Sequence, residues 1–281
     1  MSATAGGTSG TLLFITSHDS DDDLRDDSRN DSRDDFTTAT VPRTVRVHDM
    51  RSLPLPPSLD REGFAVLLHT PVATLDMPPE DIRAKALDSV AKAISTAIGA
   101  NRVFVFDFTV RGTGAGETGM PLERDDSGEI VKRKADRRAH CDYTVESGPR
   151  RAAEVLADHA VDVSLPTHFA IYNAWHPLIG PLRDNPLALC DTRSITMDDL
   201  RPVDIQQAGG REGQVYEVQQ RDTQRWHYVS DMQPEEMLLF VGYDSSAPTR
   251  FVPHGAFDDL HARAPVPPRA SIEFRVLALF D

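Results

Sequence analysis

Cysteine is nearly absent from this sequence of 281 residues, which contains only Cys141 and Cys190. Two cysteines are too few for a disulfide framework, and they lack the C-x-x-C spacing of zinc and redox sites. Apolar runs are short as well, because no stretch approaches the roughly 20 apolar residues of a membrane span. The apolar run at residues 12–15 follows no basic residue and is too short for a signal peptide. These absences predict a protein of the reducing cytoplasm with no membrane partner.

Positive charge is in deficit, because 44 acidic residues outnumber 30 basic ones and the formal net charge is −14. A surface of this sign repels a phosphate backbone, so nucleic acid is not an expected partner. Aspartates dominate residues 18–35, and too little there is apolar to offset the entropy of ordering. We therefore expect residues 1–44 to form a partly disordered acidic segment and residues 45–281 to form a single domain.

Helical periodicity is confined to two stretches of the chain. After Pro78 and Pro79, apolar residues recur at helical spacing up to Ile98, and Gly99 is a typical C-terminal signal. A second helix is expected at residues 149–159. The predicted strands are residues 102–111, 139–144, 167–175, 187–195, 215–220, 225–229, 236–241, 251–257 and 271–280. Many short strands without alternating helices predict a mainly β protein with flanking helices, built on a cupin-like jelly roll, the double-stranded β-helix.

A glycine-rich stretch follows the predicted strand at residues 102–111. It satisfies the G-x-G-x-x-G pattern at Gly114, Gly116 and Gly119. In a dinucleotide-binding fold this turn opens a helix whose N-terminus meets the pyrophosphate. Here the next residues are charged and rich in turn formers, so we reject a dinucleotide site and predict a mobile loop that acts as a lid.

The residues with the clearest metal-binding chemistry begin with an H-x-D pattern at His140 and Asp142. Alternate residues of a strand share one face, so the imidazole and the carboxylate are expected side by side. A further histidine from a distant strand, His254, would complete a 2-His-1-carboxylate triad with open positions for co-substrate and oxygen. His176 and His227 are competing third ligands, and His254 as an ordinary core histidine is the alternative.

A second cluster lies near the C-terminus, where Arg269, Ser271, Glu273 and Arg275 alternate with apolar residues. The period of two places these four side chains on one face of a strand. Buried cations need an anionic partner, and a guanidinium binds a carboxylate in bidentate fashion. The pattern predicts a site for a dicarboxylate co-substrate. The alternative is a solvent-facing strand on which the arginines pair with acidic neighbours.

Six segments of the chain resemble the AsaB/CmcJ-like hydroxylase/desaturase family of non-haem Fe(II)/2-oxoglutarate-dependent oxygenases. The resemblance runs from residue 45 to the end, and its most specific segment is YNAWHPLIGPLRDNPLALCDTRSI. The matching segments are residues 58–71, 140–144, 172–195, 225–245, 252–259 and 268–275.

The resemblance implies an enzyme that uses Fe(II), 2-oxoglutarate and O2. Its expected activity is hydroxylation or desaturation of a small molecule of secondary metabolism, with release of succinate and CO2. The implied iron ligands are His140, Asp142 and His254. The implied co-substrate clamp is Arg269 with Ser271, and Arg275 is a second candidate.

Several residues on or near the inner strands are expected at the pocket. Tyr172 is a predicted co-substrate contact, and the predicted substrate contacts are Arg111, Asn173, Trp175 and His176. The family usually has a basic residue between tryptophan and proline, whereas this chain has His176 there. The departure puts the role of that position in question.

Two other classes of protein fit the same residues. One is a jelly-roll ligand-binding protein without turnover, and the other is a zinc-dependent hydrolase, since two histidines and an aspartate also suit zinc. The lack of a G-x-S-x-G motif counts against a serine hydrolase. The sequence indicates neither the primary substrate nor an oligomeric state.

Overall fold

The computed structural model describes residues 6–16, 38–112, 123–124, 130–133, 135–161, 165–206, 211–262 and 266–280. Its strands are β1 Gly7–Ile15, β2 Thr40–Asp49, β3 Phe64–Leu68, β4 Arg102–Gly112, β5 Glu123–Arg124, β6 Ile130–Arg133, β7 His140–Cys141, β8 His168–Pro177, β9 Leu187–Cys190, β10 Leu200–Gln206, β11 Glu212–Val218, β12 Trp226–Tyr228, β13 Glu236–Asp244, β14 His254–Ala256, β15 Asp258–Asp259 and β16 Ala270–Phe280. The α-helices are α1 Pro79–Lys85, α2 Leu87–Ile98 and α3 Ser147–Asp158, and short 3-10 helices cover Met50–Ser52, Thr192–Ser194 and Met197–Asp199.

The strands form two sheets, and the chain passes from one sheet to the other several times along its length. The nine-stranded sheet runs β10-β11-β7-β14-β9-β12-β2-β1-β15, and the seven-stranded sheet runs β3-β13-β8-β16-β4-β6-β5. Strands that are neighbours in a sheet are mostly distant in sequence and antiparallel, as in a jelly roll. The predicted double-stranded β-helix is confirmed.

Strand β16 occupies the middle of the seven-stranded sheet. It pairs along its length with β8 on one side and β4 on the other. Ile272, Phe274 and Val276 belong to the main hydrophobic core, which is also built from helix residues such as Val90 and Ile94. The alternate residues of β16 therefore face the other way, into the space between the two sheets.

Helices α1 and α2 cover the outside of the seven-stranded sheet, whereas α3 packs beside β11 of the nine-stranded sheet. The predicted helix after Pro78 is divided at Ala86 into α1 and α2, and Gly99 ends α2 in the left-handed conformation with φ of 68°. Helix α3 begins slightly earlier than predicted and buries Ala152, Val155 and Leu156. Within the described residues, no helix is both long enough and apolar enough to cross a membrane.

The N-terminal strand β1 is an integral part of the nine-stranded sheet. It pairs with β2 from Gly7 to Ile15, and its Leu12 and Phe14 are buried in a separate core with Trp226. This core lies behind the strands that carry His140 and His254. The boundary predicted after residue 44 falls inside β2, and the acidic run at residues 18–35 lies outside the described residues, as does the glycine-rich stretch from Gly114 to Gly119.

The observed strands differ from the predicted ones at several places, and β1, β2, β3, β5, β6, β10 and β15 have no predicted counterpart. The strand predicted at 139–144 is reduced to β7, and the one predicted at 187–195 ends at Cys190 because the Asp191 side chain accepts from the Arg193 amide and starts a 3-10 turn. Strand β10 was not predicted, because its proline and charged residues lack the alternation of a half-buried strand.

Removal of the Phe274 ring tests the packing of β16. Phe274 is 1% exposed and lies in the main core, so Phe274→Ala should lower the free energy of unfolding by about 3–5 kcal/mol through loss of burial and formation of a cavity. Leu68→Ala is the matched control, because Leu68 is 86% exposed, and it should change stability by less than about 0.5 kcal/mol. Urea denaturation of both variants measures the difference, and equal losses would contradict the described packing.

Candidate metal centre

Three side chains from two neighbouring strands converge on one point between the sheets. His140 lies on β7 and His254 on β14, and the two residues are directly opposite in the ladder. Their ring centroids are 4.4 Å apart. Asp142 lies in the bend that follows β7, and the potential ligand atoms of His140, Asp142 and His254 all lie within 4.8 Å of one another. The structure brings together the three predicted ligands, although Asp142 is just beyond the strand.

Backbone carbonyls orient both imidazoles. The Nδ1 atom of His140 is 2.8 Å from the Arg138 carbonyl oxygen, and Nδ1 of His254 is 3.1 Å from the Val252 carbonyl oxygen. A carbonyl only accepts, so each Nδ1 carries a proton and Nε2 is the atom left for a metal. In its neutral form each imidazole therefore presents Nε2 as the ligand atom.

Two hydrogen bonds to the Oδ2 atom hold the Asp142 carboxylate in place. Its Oδ1 atom is 3.5 Å from His140 Nε2. Its Oδ2 atom accepts from Asn173 Nδ2 at 2.6 Å and from Arg275 Nε at 3.2 Å. Burial disfavours ionisation of Asp142, but the Arg275 guanidinium, the hydrogen bond to His140 and the charges of the two histidines together outweigh it and hold the pKa well below its usual value. The group is an anion, the form in which a carboxylate binds a metal.

The two histidines differ in basicity. Burial opposes the charged form of His140, but the charges of Asp136 and Asp142 raise its pKa to about 9. Burial and the neighbouring His140 lower the pKa of His254. A metal ion binds the neutral imidazole, so metal binding at this site releases a proton from His140.

The inner face of β16 is divided into an anionic part and a cationic part. Around Arg275 lie the carboxylates of Asp142, Asp107 and Glu273, with Nη1 2.8 Å from Asp107 and Nη2 3.1 Å from Glu273. Three carboxylates against one guanidinium leave a surplus of negative charge beside the imidazoles. Such a surplus fits a divalent cation at the triad.

Arg269, the residue just before β16, forms the cationic part of this face. It is 2% exposed, its Nε is 3.1 Å from Ser271 Oγ, and its guanidinium lies 5.1 Å from the centroid of the Trp175 ring. Burial and the charge of Arg111 lower the pKa of Arg269 to about 9. Arg111 lies opposite Ser271 on β4. Two guanidinium groups near one another in the interior suit an anionic ligand.

Strand alternation separates the other predicted pocket residues. Asn173 and Trp175 face the interior, where they contact Asp142 and Arg269 respectively. Tyr172 and His176 lie on the opposite face of β8, so their predicted roles as co-substrate and substrate contacts are corrected. The His176 Nε2 atom is 3.0 Å from His69 Nδ1, and burial lowers the pKa of His176 to about 4.

His227 lies on the interior face but outside the triad. Both His254 and His227 are opposite Leu189 in the nine-stranded sheet, on either side of β9. Two strand spacings of about 4.8 Å therefore separate the two histidines. The His227 ring packs 5.4 Å from His48 and 5.7 Å from Phe64, measured between centroids. Neither His176 nor His227 belongs to the triad.

Asp107, which pairs with Arg275, is not among the site residues predicted from the sequence. Asp107 stands opposite Arg275 on β4. A charged residue within the otherwise apolar run VFVFDF was the available signal. The alternative pairing of Arg275 with Glu273 is present, although on a buried face and not on a solvent-facing strand.

Comparisons with known proteins agree with this geometry. A family model described as "YDMC: Oxidoreductase/YMDC permease-like domain" matches residues 12–279. The Fe(II)/2-oxoglutarate-dependent dioxygenase nvfI of Aspergillus novofumigatus is 28% identical over 243 residues, which are 84% of this chain and 83% of that protein. The hydroxylase/desaturase CTB9 of Cercospora beticola is 29% identical over 255 residues, 85% of this chain and 77% of that protein.

A solved structure supports the fold. The iron and alpha-ketoglutarate-dependent endoperoxidase NvfI superposes with a TM-score of 0.72 at 23% identity, over 99% of both chains. The chain therefore belongs to the matched oxidoreductase family, and relatives that align with most of its length are named Fe(II)/2-oxoglutarate-dependent dioxygenase and hydroxylase/desaturase.

Proposed function

We propose that this chain is a dioxygenase in which His140, Asp142 and His254 hold Fe(II) and 2-oxoglutarate is the co-substrate. The observation that supports the proposal is the cluster of two imidazole nitrogens and one carboxylate within 4.8 Å. This donor set, with three remaining positions, is typical of non-haem Fe(II) oxygenases. Iron held by these residues would supply the oxidising chemistry, which consumes 2-oxoglutarate and O2 and yields succinate and CO2.

Arg269, with Ser271, is the proposed clamp for the distal carboxylate of 2-oxoglutarate. Its buried guanidinium is positioned by Ser271 Oγ and by the Asn185 carbonyl oxygen, 2.5 Å from Nη1. Arg275 is the weaker candidate because three carboxylates already surround it. Arg269 and Arg275 are separated along the inner face of β16 by Glu273, which keeps the anion site apart from the metal site.

The residues of the chain bind and orient the reactants and exclude water. Phe240 packs against His254 with 4.8 Å between ring centroids, and Trp175 covers Arg269. Apolar rings beside a metal and an anion site suit a mainly apolar organic substrate. We propose a small molecule of secondary metabolism, which is hydroxylated or desaturated, with Arg111 and Trp175 among its contacts.

Relatives named Fe(II)/2-oxoglutarate-dependent dioxygenase and hydroxylase/desaturase support this reaction class. We also infer that the enzyme works in the cytoplasm, because both cysteines are free thiols in the structure.

Removal of a ligand histidine tests the metal assignment. His254→Ala should abolish tight Fe(II) binding, because only two of the three proposed ligands, His140 and Asp142, remain. His227→Ala is the matched control, since it removes a buried imidazole from the same face of the sheet without touching the triad. Metal content after anaerobic reconstitution is the measurement. Full iron occupancy in the His254 variant would contradict the assignment.

Loss of the Arg269 guanidinium tests the co-substrate clamp. Arg269→Gln should weaken 2-oxoglutarate binding on the order of 10- to 100-fold, because charge-assisted hydrogen bonds are lost. The KM for 2-oxoglutarate in a succinate-release assay checks it. Arg183→Gln is the control, because Arg183 is half-exposed and pairs with Asp231 at the surface. An unchanged KM in the Arg269 variant would exclude this clamp.

Anaerobic addition of Fe(II) and 2-oxoglutarate distinguishes the oxygenase from its rivals. The expected result is a visible metal-to-ligand charge-transfer band, followed by succinate release when O2 and a suitable natural-product scaffold are admitted. A ligand-binding protein without iron would give no band. A zinc hydrolase would convert its substrate without O2 and without 2-oxoglutarate.

A further inference from the structure

We propose that Asn173 and Arg275 are positioning residues that occupy the second oxygen of Asp142, so that this carboxylate binds the metal through one oxygen only. The inference rests on the proposed metal role of Asp142. It gives Asn173 a function other than substrate contact and Arg275 a function other than the co-substrate clamp.

The two carboxylate oxygens of Asp142 have different contacts. Oδ1 is the atom near His140 Nε2, at 3.5 Å. Oδ2 accepts two hydrogen bonds, from the Asn173 amide at 2.6 Å and from Arg275 Nε at 3.2 Å. An oxygen with two donors has few lone-pair directions left for a metal. Oδ1 is therefore the metal-binding atom, and rotation of the carboxylate would break two buried hydrogen bonds.

The register of the seven-stranded sheet places these donors. Asn173 on β8 and Asp107 on β4 are both directly opposite Arg275 on β16. The three side chains form one row across three strands and share the interior face. Asp142 reaches this row from the other sheet. The metal ligand is thus anchored across the barrel by the sheet that does not carry it.

Arg275 is itself fixed from three directions. Its Nη1 donates to Asp107, and its Nη2 lies 3.1 Å from Glu273. Only Nε points to Asp142 Oδ2. A guanidinium whose three nitrogens all contact carboxylates has no open side for a second bidentate anion. The same geometry makes Arg275 a rigid donor, because each contact restricts rotation of the planar group.

Asn173 provides the shorter of the two contacts. It is completely buried, and in the described part of the chain its Oδ1 atom has no hydrogen-bond partner. A buried amide that leaves its oxygen unpaired is costly, so the bond from Nδ2 to Asp142 is the contact that accounts for asparagine at this position. Residues that orient metal ligands in this way typically change metal affinity by about 10- to 100-fold when they are replaced.

The test compares Co(II) binding to the metal-free full-length protein and two variants. Asn173→Ala keeps the buried charge unchanged, and Arg275→Lys keeps the positive charge but loses the planar donor. Each should weaken Co(II) binding about 10- to 100-fold and alter the visible Co(II) absorption, which depends on coordination number. The affinity of the Co(II) form for 2-oxoglutarate should stay within about twofold of the wild type once metal is saturating, as expected for residues that do not touch it.

Arg269→Gln serves as the reciprocal control. It should bind Co(II) with wild-type affinity and lose affinity for 2-oxoglutarate. Circular dichroism confirms that each variant is folded, and a variant that does not fold is replaced by Asn173→Ser or Arg275→Gln.

Wild-type Co(II) affinity and spectrum in folded variants at both positions would overturn the proposal. So would a loss of 2-oxoglutarate binding in Arg275→Lys with unchanged metal affinity, because Arg275 would then be a clamp. Both measurements are made without turnover, so a protein that binds Co(II) as expected but releases no succinate would contradict the proposed function and leave this inference standing.

Discussion

The interior of this barrel depends on the mutual compensation of buried charge. Arg275 is surrounded by Asp142, Asp107 and Glu273, and this arrangement leaves a surplus of negative charge next to His140 and His254. Isolated, each of these groups would be expensive to remove from water. A divalent cation at the triad removes the surplus, so metal binding and the stability of the interior are linked. Just before the start of the same strand, the buried Arg269 provides the opposite charge for a dianionic co-substrate.

The two-residue period of the strands sorts these groups. On β16 the polar residues Ser271, Glu273 and Arg275 face the interior, and the apolar residues between them pack under α1 and α2. On β8 the same alternation brings Asn173 and Trp175 inward and sends Tyr172 and His176 outward. One strand therefore serves the metal site with one face and the hydrophobic core with the other, which couples the position of the ligands to the packing of the helices.

The site is assembled from both sheets. The three proposed ligands belong to the nine-stranded sheet and the bend that follows β7, whereas the residues that hold Asp142 and the proposed clamp belong to the seven-stranded sheet. Behind the ligand strands, β1 contributes Leu12 and Phe14 to a separate core. The N-terminal strand thus supports the metal centre from the side that faces away from it.

The sequence by itself determined the fold class, the H-x-D pair, the distant His254 and the arginine-rich last strand, because short-range periodicity and residue chemistry are local properties. It could not distinguish Arg269 from Arg275, since both lie on the same face and have the same chemistry. Only the tertiary structure decided that Arg275 donates hydrogen bonds to Asp107 and Asp142, two residues far away in the chain. It also decided that His176 and Tyr172 lie on the face of β8 turned away from the interior, because the phase of β8 is set by its register with β13 and β16. Strand pairing over long sequence separations carries this information, and no local pattern contains it.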